Sequence, residues 1–245
     1  MHIKNLLETL TNKVSGSEAV NNHFFDLWLG EPLEYEKIAI FVRNYWEWTF
    51  CFPEALAGLI ANTKDISARV EYTKILFSEM GNGNSNAAHV TLFEHFCNQL
   101  SEKIGFPEQL NPHNLKQRYQ PLESTVYLNN WQKRVYSENT AVATGAQLAL
   151  EWQAYTMIRK LYEGARNYIK YWGDNQDEFH EACEFFYVHI GEAEKAHKIE
   201  SIIATESYIR KGGSFDDIEF GFNTNLMLIS NFWKGIANAF SQTCI

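Results

Sequence analysis

The sequence contains no concentrated run of basic residues. Its 245 residues include 21 Lys and Arg against 30 Asp and Glu, which gives a formal net charge of −9. Because nucleic-acid phosphates are bound by dense positive charge, we do not expect a nucleic-acid partner. The sequence also lacks an apolar run near the roughly 20 residues of a membrane-spanning helix, and its opening residues lack the apolar core of a signal peptide. We therefore expect a cytoplasmic protein without membrane association.

Cysteine is scarce, and several common enzyme motifs are missing. The four cysteines, Cys51, Cys97, Cys183 and Cys244, lie far apart and form no CxxC pair. Three of them stand in apolar contexts, which is typical of buried thiols in a reducing compartment, whereas Cys244 is expected to be exposed and reactive. The sequence has no GxSxG, Walker A, GxGxxG or HExxH pattern. A disulfide scaffold and the enzyme classes with those motifs are therefore not expected.

What the chain does have is apolar and aromatic residues at helical spacing. Hydrophobic residues make up 45% of the sequence and aromatic residues 15%, and almost no stretch alternates with the period of a strand. No linker or repeat divides the chain. We predict one all-α domain over residues 1–245, a bundle of seven to nine helices. Helices are predicted at 15–29, 34–62 (kinked or split by Pro53), 66–80, from the next turn to about 104, 122–135, 137–166, 177–210 and 218–240.

The clearest local pattern is a helix corner within residues 76–96. Glu79 stands in the last turn of one predicted helix, and the Gly- and Asn-rich stretch 81–86 follows as a turn, because Gly and Asn adopt left-handed backbone conformations. His89 follows within about one turn of the start of the next helix. A carboxylate and an imidazole on either side of a tight corner suit a shared metal ion. The alternative is a surface Glu and a core-facing His with no site.

Two further stretches place ionisable residues in apolar helices. Glu151 lies on an Ala- and Leu-rich face, where a carboxylate must be paired, protonated or bound to a metal unless it points to solvent. His189 follows the apolar residues 185–188, so we expect it to be buried, either as a ligand or bonded to a backbone carbonyl. Glu194 is expected to face solvent, and His197 is expected to be a surface histidine.

Four patches together resemble the heme-oxygenase-like helical superfamily. This fold is shared by the thiaminase II (TenA) proteins, the PQQ-synthesis oxidase PqqC, the chlamydial CADD protein and the non-heme diiron oxidases. The resemblance runs from about residue 20 to residue 240. The patches are NHFFDLWLGEPL (22–33), SEMGNGNSNAAHVTLF (78–93), GAQLALE (145–151) and FFYVHIGEAEKAH (185–197).

The diiron branch of this superfamily implies a ligand set, and the last patch fits it in two registers. The branch has a Glu, a His ten residues on, a bridging Glu, and finally His-x-x-x-Asp-x-x-His. Aligned without a gap, the last pattern keeps only its first histidine, because Ala193 and Ala196 replace the other two ligands. A π-bulge would instead bring in Glu194 and His197. We favour the ungapped register, which leaves a truncated set: Glu79, His89, Glu151 and His189.

The resemblance implies an oxidoreductase that uses iron and O2 on a small organic metabolite, such as an amino acid or an aromatic acid. One iron, two irons or no metal at all are compatible with the truncated set, and a homodimer is implied because the family is often dimeric. A metal-free enzyme of the same fold is the alternative, with His89 or His189 as the acid or base. Its substrate pocket would be lined by Tyr45, Trp46, Trp48 and Trp152. A third possibility is a non-catalytic relative that binds a small ligand or a partner protein.

Two departures weaken the likeness to particular branches. Asp26 replaces the tyrosine of the opening HPFY motif, which argues against the CADD branch. The cysteine nucleophile of the thiaminase branch is not evident, and Cys51 is the nearest candidate.

Overall fold

The computed structural model describes residues 3–106, 109–173 and 175–242, apart from the side chains of 192–194. Every regular element in these residues is helical, and none of their helices is long and apolar enough to cross a membrane. The α-helices are α1 (Ile3–Asn12), α2 (His23–Gly30), α3 (Tyr35–Asn62), α4 (Ile66–Glu79), α5 (His89–Ile104), α6 (Pro112–Leu115), α7 (Glu123–Glu138), α8 (Thr140–Ala165), α9 (Gln176–Ala182), α10 (Glu184–Ile190), α11 (Glu192–Arg210) and α12 (Phe215–Phe240). Short 3-10 helices lie at Val14–Gly16, Gly81–Gly83, Ser85–Ala87 and Arg166–Trp172.

The all-α prediction is confirmed, but the predicted number of seven to nine helices is too low for the described residues. The single helix predicted over 177–210 is divided into α9, α10 and α11. It divides because Cys183, with a ψ of 13°, and Gly191, with a ψ of −143°, leave the helical conformation. The short helices α1 and α6 were not predicted either. Conversely, α3 is not split at Pro53 but continues through it.

Helix α8 lies in the middle of the fold and packs most extensively against α12. Small residues make the approach close. A Cβ atom on Gly145 would lie only 1.9 Å from the carbonyl oxygen of Ile218, and one on Gly221 would lie 1.9 Å from that of Val142. The two backbones are therefore in contact at this crossing, and α8 has little freedom to shift.

A buried chain of hydrogen bonds fixes α8 relative to three other helices. Trp48 of α3 donates through Nε1 to Gln132 of α7 at 3.2 Å, and Gln132 donates through Nε2 to Asn225 of α12 at 3.0 Å. Asn225 in turn donates to the carbonyl oxygen of Ala146 in α8 at 2.8 Å. Because buried polar groups are costly unless they are paired, this chain favours one arrangement of the four helices.

The cysteines are distributed only partly as expected. Cys97 and Cys183 are buried, whereas Cys51 is half-buried. Cys244 lies outside the described residues, so its predicted exposure stays a prediction.

Candidate metal centre

The predicted corner joins α4 and α5 and brings a carboxylate against an imidazole. Gly81, Asn82 and Gly83 have positive φ angles of 65°, 54° and 86°, which confirms the predicted turn of left-handed residues. Glu79 is the last residue of α4 and His89 the first of α5. Glu79 Oε2 lies 2.9 Å from His89 Nδ1, and both side chains are largely buried.

His189 approaches the same point from α10. Its ring centroid lies 4.2 Å from that of His89. His189 Nδ1 lies 2.6 Å from the carbonyl oxygen of Phe185, so that Nδ1–H donates there and Nε2 keeps its lone pair for a ligand. One ligand atom each from Glu79, His89 and His189 lies within 4.8 Å of the others. These three side chains can therefore share one metal ion.

Glu151 lies in the interior, on α8, and its carboxylate accepts a hydrogen bond from another side chain of the same helix. It is only 1% exposed, and it borders the same cavity as Glu79, His89 and His189. Gln147, one helical turn earlier, donates through Nε2 to Glu151 Oε1 at 2.5 Å. The Oε1 atom of Gln147 accepts a hydrogen bond from the Tyr136 hydroxyl at 3.0 Å. The carboxylate is thus oriented by a buried pair of side chains from α7 and α8.

His197 reaches this centre because the helix breaks before it. Gly191, between α10 and α11, has a ψ of −143°, far from the helical value near −42°. The break re-orients α11, so that Ala196 is exposed and His197 is only 2% exposed. His197 Nδ1 lies 3.5 Å from Glu151 Oε2.

The ungapped register that we favoured from the sequence is therefore wrong for His197, as is its expected place on the surface. A helix break rather than a π-bulge brings it inward. The side chain of Glu194 lies outside the described residues, so its orientation stays a prediction. Ala196, which the ungapped register placed on the ligand stripe, faces away from the centre.

Burial and neighbouring charges shift the pKa values of the side chains at this centre, lowering some and raising others. Burial alone would raise the pKa of Glu79, but His89 outweighs it and the pKa falls to about 2. Burial, helped by His89, lowers the pKa of His189 to about 3. Burial raises the pKa of Glu151, although the neighbouring imidazole of His197 opposes it. Glu79 is therefore anionic and His189 neutral at neutral pH, the forms that bind metals, while the charge of Glu151 is costly without a cation.

A cavity of about 50 Å³ opens beside the centre, between α3, α8 and α10. Space of this size holds only a few water-sized groups. The predicted pocket residues Tyr45 and Trp48 line it, together with Thr49, Phe52, Leu150, Gln153, Ala154, Met157, Ile158 and Phe185. The walls are therefore mainly apolar, with the carboxylates and imidazoles grouped at one edge.

The other two predicted pocket residues, Trp46 and Trp152, do not line this cavity. Trp152 follows Glu151 on α8 and, at about 100° per residue, points away from the lining face. Trp46 is turned about 100° from Tyr45 on α3, donates through Nε1 to Glu94 at 2.7 Å and stacks on Phe50. Both indoles belong to the packing around the bundle.

The candidates taken from other branches of the superfamily lie away from the centre. Cys51 does not border the cavity, and burial raises the pKa of its thiol, which disfavours the nucleophilic thiolate. Asp26 is exposed on α2.

The family of the chain follows from its sequence match. Residues 39–221 match the sequence profile of the family described as "Iron-containing redox enzyme". The chain belongs to this family. The matched segment includes Glu79, His89, Glu151, His189 and His197.

The chain is also similar to a named enzyme in sequence and to solved structures in fold. The 4-chloro-allylglycine synthase of Streptantibioticus cattleyicolor is 26% identical over 237 residues, which are 96% of this chain and 83% of that protein. A CADD-like protein of unknown function from Nostoc punctiforme superposes with a TM-score of 0.72 at 16% identity, covering 96% and 97% of the two chains. A TenA homologue from Pseudomonas syringae pv. tomato gives 0.71 at 13% identity, covering 94% and 92%. The predicted heme-oxygenase-like resemblance is confirmed, and the two structures show the fold alone.

Three polar residues beside the centre were missed in the sequence. Gln147 stands four residues before Glu151, and Glu200 stands three residues after His197, so helical spacing alone could have indicated both. Burial raises the pKa of Glu200, and its Oε2 atom has no hydrogen-bond partner among the described residues. Gln153 carried no sequence signal, because a lone Gln in an apolar helix has no characteristic spacing.

The contact between Gln147 and Glu151 predicts an effect on metal affinity. We expect Gln147→Leu to weaken Fe(II) binding about 10- to 100-fold, because a side chain that orients a ligand typically contributes that much. Anaerobic Fe(II) titration measures the change. Thr125→Val is the control, since it also removes a buried hydrogen bond, the one to Asn44, but Thr125 does not line the cavity. Equal affinities in the wild type and Gln147→Leu would contradict this role.

The helix break at Gly191 predicts that two adjacent residues differ sharply. We expect His197→Asn to reduce iron content severely, because its imidazole faces Glu151, whereas Ala196→Ser on the exposed side leaves iron content unchanged. The measurement is the iron content per chain of both variants after anaerobic loading and desalting. If His197→Asn retained full iron, the centre would not include this histidine.

Proposed function

We propose that this protein is a non-heme iron-dependent oxidoreductase that uses O2 to transform a small organic metabolite. The observation that supports it best is the convergence of Glu79, His89 and His189, with ligand atoms within 4.8 Å, in a member of a family of iron-containing redox enzymes. Glu151 lines the same cavity, and His197 Nδ1 lies 3.5 Å from Glu151 Oε2.

The donor set fits iron. Carboxylate oxygens and imidazole nitrogens are ligands that iron accepts, and the contact of His189 Nδ1 with Phe185 leaves its Nε2 available. A cation would also offset the burial of Glu151, whose pKa is raised without one. The residues that would hold one or two irons are Glu79, His89, Glu151, His189 and His197, with Glu194 as a further candidate.

Iron bound there would supply O2 binding and electron transfer. The protein's own contribution is to fix the ligands and to surround the reaction with apolar side chains. Gln147 and the Phe185 carbonyl hold the orientations of Glu151 and His189. Leu150, Ala154 and Met157 give the cavity an apolar wall.

An amino acid is the substrate class that we propose. The name of the 4-chloro-allylglycine synthase to which the chain is similar refers to an amino acid. The small, mainly apolar cavity suits a short aliphatic side chain. Larger molecules would require Met157, a flexible side chain, to move aside. Cytoplasmic location and a homodimer remain part of the proposal.

A metal-free acid–base enzyme is the second candidate. Its support is the pairing of His89 with Glu79 at 2.9 Å, since a carboxylate that orients an imidazole is a common arrangement for a general base. The pKa of about 3 makes His189 a weak base, so this function would depend on His89.

Anaerobic loading with Fe(II), followed by desalting and metal analysis, tests the proposal. We expect at least about one iron per chain, and O2 consumption that depends on an added amino acid and stops when the iron is chelated. Iron below about a tenth per chain would end the iron proposal. Turnover that survives chelation would favour the metal-free enzyme, and the absence of both iron and turnover would favour a non-catalytic binding protein.

A further inference from the structure

Gln153 is a buried side chain whose amide has no partner in the protein. It is 0% exposed, and neither Oε1 nor Nε2 has a hydrogen-bond partner in the part of the chain that the structure describes. It also lines the cavity beside the candidate metal centre. A buried polar group without a partner destabilises a protein, and most such groups in native structures are paired. Both polar atoms of this amide are therefore available for hydrogen bonds to a molecule that enters the cavity.

The position of Gln153 on α8 gives the cavity two polar edges. At about 100° per residue, Gln153 lies roughly 160° around the helix from Glu151. The face between them is apolar and contains Leu150, Ala154 and Met157, all of which line the cavity. A molecule in the cavity would therefore meet ionisable groups at one edge, a hydrocarbon wall in the middle and a neutral amide at the other edge.

The amide and the charges around it limit what can bind at that edge. A primary amide both donates and accepts hydrogen bonds. None of the lining residues that the structure describes is Lys or Arg, so a lone carboxylate at this edge would be buried without a counter-charge, which is strongly unfavourable. A zwitterion carries its own counter-charge and offers one acceptor and one donor group, which match the two halves of the amide.

We propose that Gln153 binds the head group of an α-amino acid substrate. Its Nε2–H donates to the carboxylate and its Oε1 accepts from the ammonium group, while the side chain of the substrate lies along the apolar face towards the metal centre. Because the cavity of about 50 Å³ is smaller than a whole amino acid, the flexible side chain of Met157 moves aside when the substrate binds. Gln153 thereby selects amino acids over simple acids and amines. This inference rests on the proposed function, since it names the residue that binds the end of the substrate farthest from the iron.

The test uses L-norleucine, hexanoate and pentylamine with the iron-loaded protein under anaerobic conditions. Hexanoate is norleucine without the ammonium group, and pentylamine is norleucine without the carboxylate, so the three ligands share one apolar chain. Calorimetry of the wild type should show norleucine binding at least about tenfold more tightly than either analogue, because hydrogen bonds to charged groups are lost with each analogue.

Gln153→Met and Gln153→Leu remove the amide while keeping a similar volume. Both should weaken norleucine binding at least about tenfold and abolish its advantage over the analogues. Both should retain iron and raise the Tm of the ligand-free protein by about 2–4 °C, because the unpaired amide is gone. Trp152→Phe, on the opposite face of α8, is the control and should leave norleucine binding unchanged.

Three results would overturn the inference. The first is that the wild type binds norleucine no better than its analogues, and the second is that both variants bind norleucine as tightly as the wild type. The third is a fall in the Tm of both variants, which would show a structural role for the amide. Iron content is measured on the same samples. Full iron with any of these results refutes the role of Gln153 alone, whereas missing wild-type iron refutes the proposed function.

Discussion

Glu151→Gln is expected to remove iron from the protein almost completely. The substitution keeps the shape of the side chain and an oxygen that can accept the hydrogen bond from Gln147. It removes the anionic charge that, under the proposed function, attracts the cation into the core, where Glu151 is only 1% exposed. We expect Fe(II) affinity to fall at least about 100-fold, since loss of a ligand should exceed the 10- to 100-fold effect of the residues that orient ligands.

The stability of the metal-free variant separates ligand loss from unfolding. Because burial raises the pKa of Glu151, its charge is unfavourable without metal, and metal-free Glu151→Gln should be at least as stable as the metal-free wild type. Glu94→Gln is the control, because Glu94 accepts from Trp46 Nε1 outside the cavity and an amide oxygen can replace it. Metal analysis after anaerobic loading and thermal unfolding provide the readouts. Iron retained at the wild-type level would exclude Glu151 as a ligand.

The corner between α4 and α5 could be predicted because its causes are local. Gly81 and Asn82 adopt the left-handed angles that their residue types favour, and the helices on either side then hold Glu79 and His89 within 2.9 Å. Their spacing along the chain was sufficient to place them together. The close packing of α8 also has a local cause, because Gly145 has no side chain and a neighbouring backbone can approach it closely.

The place of His197 could not be read from the sequence, because it depends on one backbone angle set by tertiary packing. A continuous helix from His189 would place Ala196, not His197, on the ligand stripe. With ψ of −143° at Gly191, α11 resumes in a different direction, so that His197 is buried and Ala196 is exposed. Gly lowers helix propensity by about 1 kcal/mol relative to Ala, but that penalty does not reveal whether a helix breaks or in which direction it resumes.

The lining of the cavity was only half predictable, because α3 is buried around most of its circumference. Where a helix is apolar on every side, its periodicity no longer indicates which face borders a cavity. Tyr45 and Trp48 face the cavity while Trp46, between them in sequence, packs under Lys116, whose Nζ lies 4.1 Å from its ring centroid. The single domain and the homodimer stay predictions.

Helix α8 couples the packing of the bundle to the chemistry of the centre. The same helix touches α12 at Gly145 and, less than two turns later, presents Glu151 to the cavity, with Gln147 donating a hydrogen bond to its carboxylate. The hydrogen bond from Asn225 to the carbonyl of Ala146 lies between these two regions. A change that separates α8 from α12 should therefore disturb both stability and iron affinity.

Gly145→Ala is the second substitution with a large expected effect. Its Cβ would lie 1.9 Å from the carbonyl oxygen of Ile218, where ordinary contact begins near 3.4 Å, and a rigid backbone cannot swing away as a side chain can. Ala stabilises a helix by about 1 kcal/mol relative to Gly, but the overlap is large enough for the overpacking cost to reach or exceed its usual upper range of about 3 kcal/mol. We expect the Tm to fall by about 4–8 °C and Fe(II) affinity to fall with it.

Gly221→Ala offers an internal check, because it meets the carbonyl oxygen of Val142 at 1.9 Å on the other side of the same crossing. One separation of α8 from α12 would relieve both overlaps, so the double variant should be destabilised by less than the sum of the single effects. Gly30→Ala is the control, since nothing lies within 4 Å of its Cβ position, and it should change the Tm little. Additive effects at residues 145 and 221 would show that the two overlaps are relieved separately, and an unchanged Tm in Gly145→Ala would show that the helices do not touch there.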